Sequence, residues 1–460
     1  MSLACFKAYD IRGRVPEDLD ADVARRIGRA FAEVVEPGRV VVGYDARLES
    51  PSLAQAVIDG LTESGSDVID IGLCGTEEVY FQTAHREADG VGGGIMITAS
   101  HNPKGNNGMK LVRRGSRPIS GDSGLDAIRD RTEAPAREAP SAGRRGRVMQ
   151  DGNRSAYIAH LLRYVETANL RPLRIVADAG NGCAGPIVRQ LAAALPLEIV
   201  LLHGEPDGNF PNGIPNPLLP EMREITSRAV RDQGADLGVA WDGDCDRCFL
   251  YDANGRFIEG YYLVGLLAKA MLARHPGAKI VHDPRLVWNT IAEVTALGGI
   301  PVQSKTGHAF IKERMRREDA VYGGEMSGHH YFRDFAYCDS GMIPWLLVAG
   351  IMSRTGRSLA ELVDERMREF PCSGEINFET DAAAATERIL ARYLPQNPRR
   401  DDTDGVSLEF ADWRFNLRRS NTEPLLRLNI ETRGDAAAVA RHLAEIEGLI
   451  RRDGPDGARA

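Results

Sequence analysis

The run Arg39-Val-Val-Val-Gly-Tyr-Asp45 is short and β-branched, and it ends in an aspartate followed by turn-prone residues. Two further runs have the same form, Leu173-Arg-Ile-Val-Ala-Asp178 and Lys279-Ile-Val-His-Asp283. A stretch with helical periodicity follows each of them. A buried strand that leads into a helix is the repeating unit of a parallel α/β sheet, so the three runs predict three similar α/β domains with mixed or parallel sheets.

The last part of the chain has a different order of elements. In the stretch from Phe378 to about Ile450, a helical segment precedes strand-like runs at 406–410, 413–417 and 425–431, and an amphipathic helix begins at Ala436. This order predicts a smaller C-terminal α+β domain. The predicted domains are 1–150, 151–254, 255–370 and 371–460.

Composition narrows the classes of function. The chain has 460 residues and a formal net charge of −8, which disfavours nucleic acid as its partner. No apolar run reaches about 18 residues and no secretory leader pattern opens the chain, so we expect a cytoplasmic protein without a membrane partner. Seven cysteines do not form a disulfide framework in so long a chain. Cys245 and Cys248 form a C-x-x-C pair, but it lies among aspartates rather than at a helix start, which disfavours a redox dithiol.

Thr98-Ala-Ser-His-Asn-Pro103 follows the apolar run Gly94-Ile-Met-Ile97. A rigid turn at the end of a buried strand would present Ser100 as a nucleophile or phosphate carrier. His101 or Lys110 would then be the base or a phosphate ligand. The alternative for the motif alone is an ordinary turn with a solvated serine.

Asp242-Gly-Asp-Cys-Asp-Arg247 follows another strand-like run. Its alternating aspartates are hard oxygen donors suited to Mg²⁺ or Ca²⁺. A calcium-binding EF-hand would need glycine at the sixth position and glutamate at the twelfth. Arg247 and Ala253 stand there instead. The planar guanidinium of Arg247 suits a phosphate.

Two later loops suit a sugar and an anion. Gly323-Gly-Glu-Met-Ser-Gly-His-His330 combines a carboxylate, a hydroxyl and imidazoles, which fits a polyol. Zinc is disfavoured there because neighbouring residues on a strand point to opposite faces and no further ligand completes a set. Arg418-Arg-Ser-Asn-Thr-Glu-Pro424 joins two strand-like runs, and its polar groups predict an anion cradle.

Gly180-Asn-Gly-Cys-Ala-Gly185 matches the dinucleotide-binding pattern G-x-G-x-x-G after a strand. Asn181 and Pro186 stand where the helix of that motif opens, and no other nicotinamide-binding feature occurs. We therefore favour a structural interpretation, in which the glycines allow close packing of a strand–helix turn.

The four loops, in this order and at this spacing, resemble the signature loops of the α-D-phosphohexomutases. The resemblance covers nearly the whole chain, from Lys7-Ala-Tyr-Asp-Ile-Arg-Gly13 to the C-terminal domain. Two longer segments, 208–217 and 331–337, are most similar to the bacterial phosphomannomutases of that family. The resemblance implies three α/β domains and a smaller fourth domain around a central cleft, with one loop from each.

The resemblance also implies an enzyme that interconverts mannose 6-phosphate and mannose 1-phosphate, with glucose phosphates open as further substrates. A phosphoserine and a hexose 1,6-bisphosphate would be its intermediates, and Mg²⁺ its cofactor. We expect a monomer or a weak dimer whose partner is a small hexose phosphate.

Each site residue receives an expected role. The catalytic candidates are Ser100, His101, Lys110 and Arg247, and the metal ligands are Ser100, Asp242, Asp244 and Asp246. The residues expected to bind the sugar are Glu325, Ser327, His329, His308, Tyr9 and Arg12. Those expected to bind phosphate are Arg418, Ser420, Asn421, Thr422 and Arg285.

Two departures from the family pattern occur. Asp-Tyr-Asn-Gly usually follows the serine loop, but here the run is Lys104-Gly-Asn-Asn-Gly108. Cys245 replaces a residue that is commonly bulky and apolar. Neither change removes a ligand.

A phosphosugar hydrolase and a non-enzymatic sugar-phosphate or nucleotide-binding module remain the rival functions.

Overall fold

The computed structural model describes residues 3–134, 144–419 and 425–451. The chain divides into two compact units, one formed by Met1–Ile258 and Ser327–Leu359 and the other by Glu259–Met326 and Ala360–Ala460. Among the described residues, no helix combines the length and the apolarity that are needed to cross a bilayer.

The first sheet of the first unit has seven strands, and the predicted run at Arg39 lies near its centre. Its elements are β1 (Ile11–Arg14), α1 (Ala21–Val35), β2 (Arg39–Tyr44), α2 (Ser50–Glu63), β3 (Asp67–Leu73), α3 (Thr76–His85), β4 (Val91–Ile97), β5 (Asn106–Arg113), β6 (Arg117–Pro118), α4 (Leu125–Glu133) and β7 (Val148–Gln150). The strand order is β1-β5-β4-β2-β3-β7, and β6 pairs with β5. Val40, Val41 and Val42 are fully buried, as expected for a strand covered on both faces. Strand β5 runs antiparallel to β4 and to β1, so the sheet is mixed.

A second, five-stranded sheet of the first unit has the order β12-β11-β10-β8-β9. Its elements are α5 (Ser155–Leu162), β8 (Arg174–Asp178), α6 (Ala184–Ala194), β9 (Glu198–Leu202), α7 (Pro220–Asp232), β10 (Leu237–Trp241), β11 (Cys248–Asp252) and β12 (Phe257–Ile258). A Cβ atom on Gly182 would lie 2.6 Å from the Gly243 carbonyl oxygen, and one on Gly185 would lie 1.9 Å from that of Gly204. This close approach of main chains supports the structural interpretation of the glycine motif.

The second unit opens with a parallel sheet in the order β14-β13-β15. The elements here are α8 (Gly260–Arg274), β13 (Lys279–His282), α9 (Trp288–Ala296), β14 (Ile300–Gln303), α10 (His308–Glu318) and β15 (Tyr322–Gly324). The chain then returns to the first unit with an antiparallel pair and a helix. These are β16 (His330–Phe332), β17 (Cys338–Asp339) and α11 (Met342–Thr355).

The C-terminal part of the second unit is an antiparallel sheet in the order β18-β22-β21-β20-β19. Its elements, after α12 (Leu359–Glu369), are β18 (Cys372–Glu379), α13 (Ala382–Tyr393), β19 (Arg399–Asp401), β20 (Val406–Glu409), β21 (Trp413–Arg419), β22 (Leu425–Thr432) and α14 (Ala436–Ile450). The three α/β sheets and this α+β sheet confirm the predicted fold class. The sequence analysis missed β18, because it placed a domain boundary between residues 370 and 371 and predicted no strand before the helical segment.

Candidate active site

The turn after β4 presents Ser100. This serine is buried and has a φ of 50°, a conformation that non-glycine residues rarely adopt. Its Oγ donates a hydrogen bond to Asp242 Oδ2 at 2.8 Å and lies 3.0 Å from His101 Nδ1. The structure thus brings together the predicted phosphate carrier, one predicted base and one predicted metal ligand.

The three predicted metal ligands lie in the turn between β10 and β11. Asp242, Asp244 and Asp246 are buried, and one carboxylate oxygen of each lies within 4.8 Å of the others. Oδ1 of Asp244 and Oδ1 of Asp246 have no hydrogen-bond partner among the described residues. Buried carboxylate oxygens are unfavourable unless a cation or a donor compensates them. Together with the nearby Ser100 hydroxyl, these hard oxygen donors fit Mg²⁺.

Lys110, on β5, lies across two of these carboxylates. Its Nζ donates to Asp244 Oδ2 at 2.6 Å and also to Asp246 Oδ2. Burial alone would lower the pKa of Lys110, but the two carboxylates raise it. Burial alone would raise the pKa of Asp244, but the positive charge of Lys110 and its hydrogen bond lower the pKa below its usual value. Lys110 is therefore held as a cation, which disfavours it as the general base.

His101 has the opposite electrostatic surroundings. Burial, followed by the positive charges of Arg247 and Arg12, lowers the pKa of His101 well below its usual value. The ring is consequently neutral and can accept a proton from Ser100 Oγ.

Burial and the two neighbouring carboxylates raise the pKa of Asp242 to about 7.

Two arginines that were predicted to belong to the site, Arg247 and Arg12, lie beside the aspartate loop and the serine loop. Arg247 Nε lies 3.4 Å from Asp242 Oδ2. Arg12 is on β1, which pairs with β5, and its Nη1 donates to Asn102 Oδ1 at 2.8 Å in the serine loop. Tyr9 precedes β1 and is half-buried.

His329 lies against the aspartate loop within the first unit. It forms an antiparallel bridge with Arg247. Its Nδ1 lies 2.8 Å from Asp339 Oδ2 and 3.7 Å from Asp246 Oδ1. An aspartate beside one ring nitrogen favours a proton on that nitrogen and leaves the other nitrogen as an acceptor. His329 was predicted only as a sugar contact, and the sequence analysis missed Asp339.

Thr76 is a second supporting residue that the sequence analysis missed. It opens α3, and its Oγ1 donates to Asp244 Oδ2 at 2.5 Å. Its main-chain N–H also donates to the Asp244 carbonyl, at 2.9 Å. Both bonds fix the middle aspartate of the loop, and no local motif around Thr76 indicates them.

In the second unit, Glu325 follows β15 and is buried. Its Oε1 accepts a hydrogen bond from the Gly307 main-chain N–H at 2.9 Å, and His308 is the next residue, at the start of α10. Arg285 Nη2 lies 3.8 Å from the same Oε1. Ser327 and His329, the other predicted sugar-binding residues of this loop, fall in the first unit.

Glu375, on β18, is approached by several arginines of the second unit. These are Arg285 (Nη1 to Oε2, 3.3 Å), Arg418 (Nη2 to Oε2, 3.5 Å) and Arg427 (Nη1 to Oε1, 3.4 Å). Two of them were predicted to bind phosphate, and guanidinium groups of this kind can bind a dianion through several bonds. The other predicted phosphate ligands, Ser420, Asn421 and Thr422, lie outside the described residues.

Comparison with protein-family models gives four matches along the chain. All four describe phosphoglucomutase/phosphomannomutase. Alpha/beta/alpha domain I matches residues 4–138, domain II matches 155–255, domain III matches 259–370, and the C-terminal domain matches 375–449.

Individual relatives match over nearly their whole length. Proteins called phosphohexose mutases, from Xanthomonas campestris pv. campestris, are 62% identical and cover 98% of this chain and 100% of their own. A phosphomannomutase of Salmonella typhimurium is 60% identical, covering 98% of this chain and 99% of its own. The crystal structure of a phosphoglucomutase/phosphomannomutase family protein from Burkholderia thailandensis superposes with a TM-score of 0.87. It shares 33% identity and covers 99% of this chain and 98% of its own.

Proposed function

Because this chain belongs to the phosphoglucomutase/phosphomannomutase family, we propose that it interconverts mannose 6-phosphate and mannose 1-phosphate by carrying a phosphoryl group on Ser100. One observation carries the proposal: a buried serine hydroxyl lies 2.8 Å from a cluster of three buried aspartates. The phosphomannomutase relative at 60% identity supports the choice of sugar. Glucose phosphates are the second substrate pair that we propose. The cytoplasmic location and the monomeric or weakly dimeric state stay predictions.

The reaction has two phosphoryl transfers. In the first, the bond between phosphorus and Ser100 Oγ breaks, and a bond forms between phosphorus and a hydroxyl oxygen of the hexose phosphate. The product is a hexose 1,6-bisphosphate, which turns over so that its other phosphate returns to Ser100. A Mg²⁺ held by Ser100, Asp242, Asp244 and Asp246 would neutralise charge on the transferring group. The cationic Lys110 and Arg247 add to that stabilisation.

Two histidines account for the protons. On the phosphoenzyme, the added phosphate charge favours a protonated His101, which returns its proton to Ser100 Oγ as the ester bond breaks. His329 accepts the proton of the attacking sugar hydroxyl, and Asp339 stabilises the charge that forms. During the second phosphoryl transfer, both proton transfers run in reverse. The enzyme therefore neither gains nor loses a proton over a full cycle. General acid–base groups of this kind contribute about 10²–10⁴-fold.

The test of this function follows both possible products. Mannose 1-phosphate, Mg²⁺ and a catalytic amount of glucose 1,6-bisphosphate are added to the enzyme, and phosphorus NMR records the outcome. We expect mannose 6-phosphate without inorganic phosphate. Accumulating phosphate would identify a hydrolase, and an unchanged spectrum with unphosphorylated Ser100 by intact mass would identify a binding module. The ratio of kcat/KM for the mannose and glucose 1-phosphates gives the sugar preference.

Arg418→Ala should raise KM by about 10²-fold and leave kcat within a few-fold, because we propose that Arg418 binds the phosphate that is not reacting. Steady-state kinetics with mannose 1-phosphate measures both constants. Arg441→Ala is the control, since Arg441 is an exposed arginine on α14 whose Nη2 lies 2.8 Å from Asp435 Oδ2, outside the predicted anion cradle. A large loss of kcat at unchanged KM would contradict this role.

A further inference from the structure

The loop that carries Ser100 is held through its main-chain carbonyl groups. Arg47 Nη2 donates to the carbonyl oxygens of Ser100 at 2.8 Å and Asn102 at 2.5 Å. Its Nη1 donates to those of Pro103 at 3.1 Å and Asn106 at 3.0 Å. One guanidinium group therefore spans the loop from the predicted phosphate carrier to the first residue of β5.

Arg47 is itself fixed in place. It follows β2 by three residues, and 2% of its side chain is exposed. Asp45 Oδ2 lies 3.4 Å from its Nε, and the ring of Phe210 lies 5.5 Å from its guanidinium carbon. Burying a guanidinium group is costly unless its donors are hydrogen-bonded and its charge is balanced. The loop carbonyls accept hydrogen bonds from both Nη atoms, and Asp45 balances the charge, although Nε itself has no hydrogen-bond partner among the described residues.

A second set of hydrogen bonds fixes the main-chain N–H group of Ser100. The Ser100 N–H donates to Thr98 Oγ1 at 2.8 Å, and Thr98 Oγ1 donates to Asp45 Oδ2 at 2.7 Å. The amide and the carbonyl of Ser100 are thus both anchored beside Arg47. This matters because Ser100 has a φ of 50°, which is unfavourable for a serine unless its surroundings enforce it.

We propose that Arg47 is a positioning residue for phosphoryl transfer, which holds the strained main chain of Ser100 so that Oγ points at Asp242. The inference rests on the proposed function. Phosphoryl transfer depends mainly on alignment, and a misplacement of about 1 Å can lower the rate about 10²-fold. The hydrogen bonds of Arg47 end on main-chain carbonyl oxygens and not on Ser100 Oγ, the reacting oxygen. Its effect should therefore appear in kcat and in the exchange of phosphate on Ser100.

Arg47→Lys is the first test, because lysine keeps the charge but lacks the planar fork that reaches four carbonyls. Arg388→Lys is the matched control. Arg388 also donates to two main-chain carbonyls, those of Leu449 at 2.9 Å and Ile450 at 3.1 Å, at the end of α14. We expect Arg47→Lys to lower kcat about 10²-fold with KM within about threefold, and to slow phosphorylation of Ser100 by glucose 1,6-bisphosphate. Arg388→Lys should leave both rates unchanged.

Hydrogen exchange of the full-length protein separates this proposal from the proposed function. Amides of residues 99–106 should exchange faster in Arg47→Lys than in the wild type or in Arg388→Lys. If the wild-type protein shows no mutase activity but amide exchange in residues 99–106 is still faster in Arg47→Lys, the proposed function is wrong. The role of Arg47 in holding the loop is then still supported. Unchanged amide exchange in Arg47→Lys would overturn the proposal. Faster exchange would also overturn it if the wild type is an active mutase and the kcat of Arg47→Lys stays within twofold of the wild-type value. Arg47→Ala with added methylguanidinium is the second variant, and recovery of kcat would support the same conclusion.

Discussion

Ser100→Ala should lower mutase kcat by about 10⁴-fold or more, because in the proposed cycle both transfer steps use Ser100 Oγ. The fold should survive. The lost hydrogen bond to Asp242 is one of many, and its net contribution to the free energy of unfolding is about 1 kcal/mol. The measurement is turnover of mannose 1-phosphate with glucose 1,6-bisphosphate present, together with urea unfolding of the same preparation.

Ser52→Ala is the matched control for this substitution. Ser52 is an exposed serine on α2 whose Oγ donates to the Glu49 carbonyl at 2.8 Å. Its replacement should change neither turnover nor the mass that phosphorylation adds to the protein. If Ser100→Ala turned over at more than a tenth of the wild-type rate, the phosphoryl group would have to be carried elsewhere.

Lys110→Met should destabilise the metal-free protein by about 3–5 kcal/mol, because it leaves Asp244 and Asp246 buried without their positive partner. Added Mg²⁺ should recover part of this loss, since a bound divalent cation restores the missing charge. Urea unfolding in EDTA and in excess MgCl₂ measures the two free energies of unfolding. The difference between them should be larger in the variant than in the wild type.

Lys279→Met tests whether any lost ion pair would give the same result. Lys279 Nζ lies 2.9 Å from Glu318 Oε2, but 38% of its side chain is exposed. An exposed pair contributes about 0–1 kcal/mol, so this variant should stay near the wild type in both buffers. An equal effect in the two variants, or no response of Lys110→Met to Mg²⁺, would argue against a charge-balanced metal site at Lys110.

Features encoded in contiguous residues were predictable from the sequence. The apolar runs that end at Asp45, Asp178 and Asp283 correspond to β2, β8 and β13, because a strand buried on both faces needs an unbroken apolar segment. The resemblance to the phosphohexomutases is confirmed by the four family-model matches. The individual roles of the site residues stay predictions.

Features that depend on distant pairs of residues were not predictable. Thr76 donates to Asp244 across 168 positions, and Arg47 donates to the Ser100 carbonyl across 53 positions. Neither side chain lies in a motif that indicates its partner. Strand β18 was missed for a local reason, because Pro-Cys-Ser-Gly is turn-prone. The register of β18 against β22 does shift between Cys372 and Glu375.

The four hydrogen bonds from Arg47 end on carbonyl oxygens, which are present whatever side chain a residue carries. The contacts of Arg47 with the serine loop therefore do not depend on the side chains of the residues that supply these carbonyls. This accounts for a chain in which Lys104-Gly-Asn-Asn-Gly108 replaces the common family run while Ser100 still meets Asp242. We therefore expect substitutions at Lys104 that leave the course of the main chain unchanged to keep activity, so a library of variants at this position should contain many active ones.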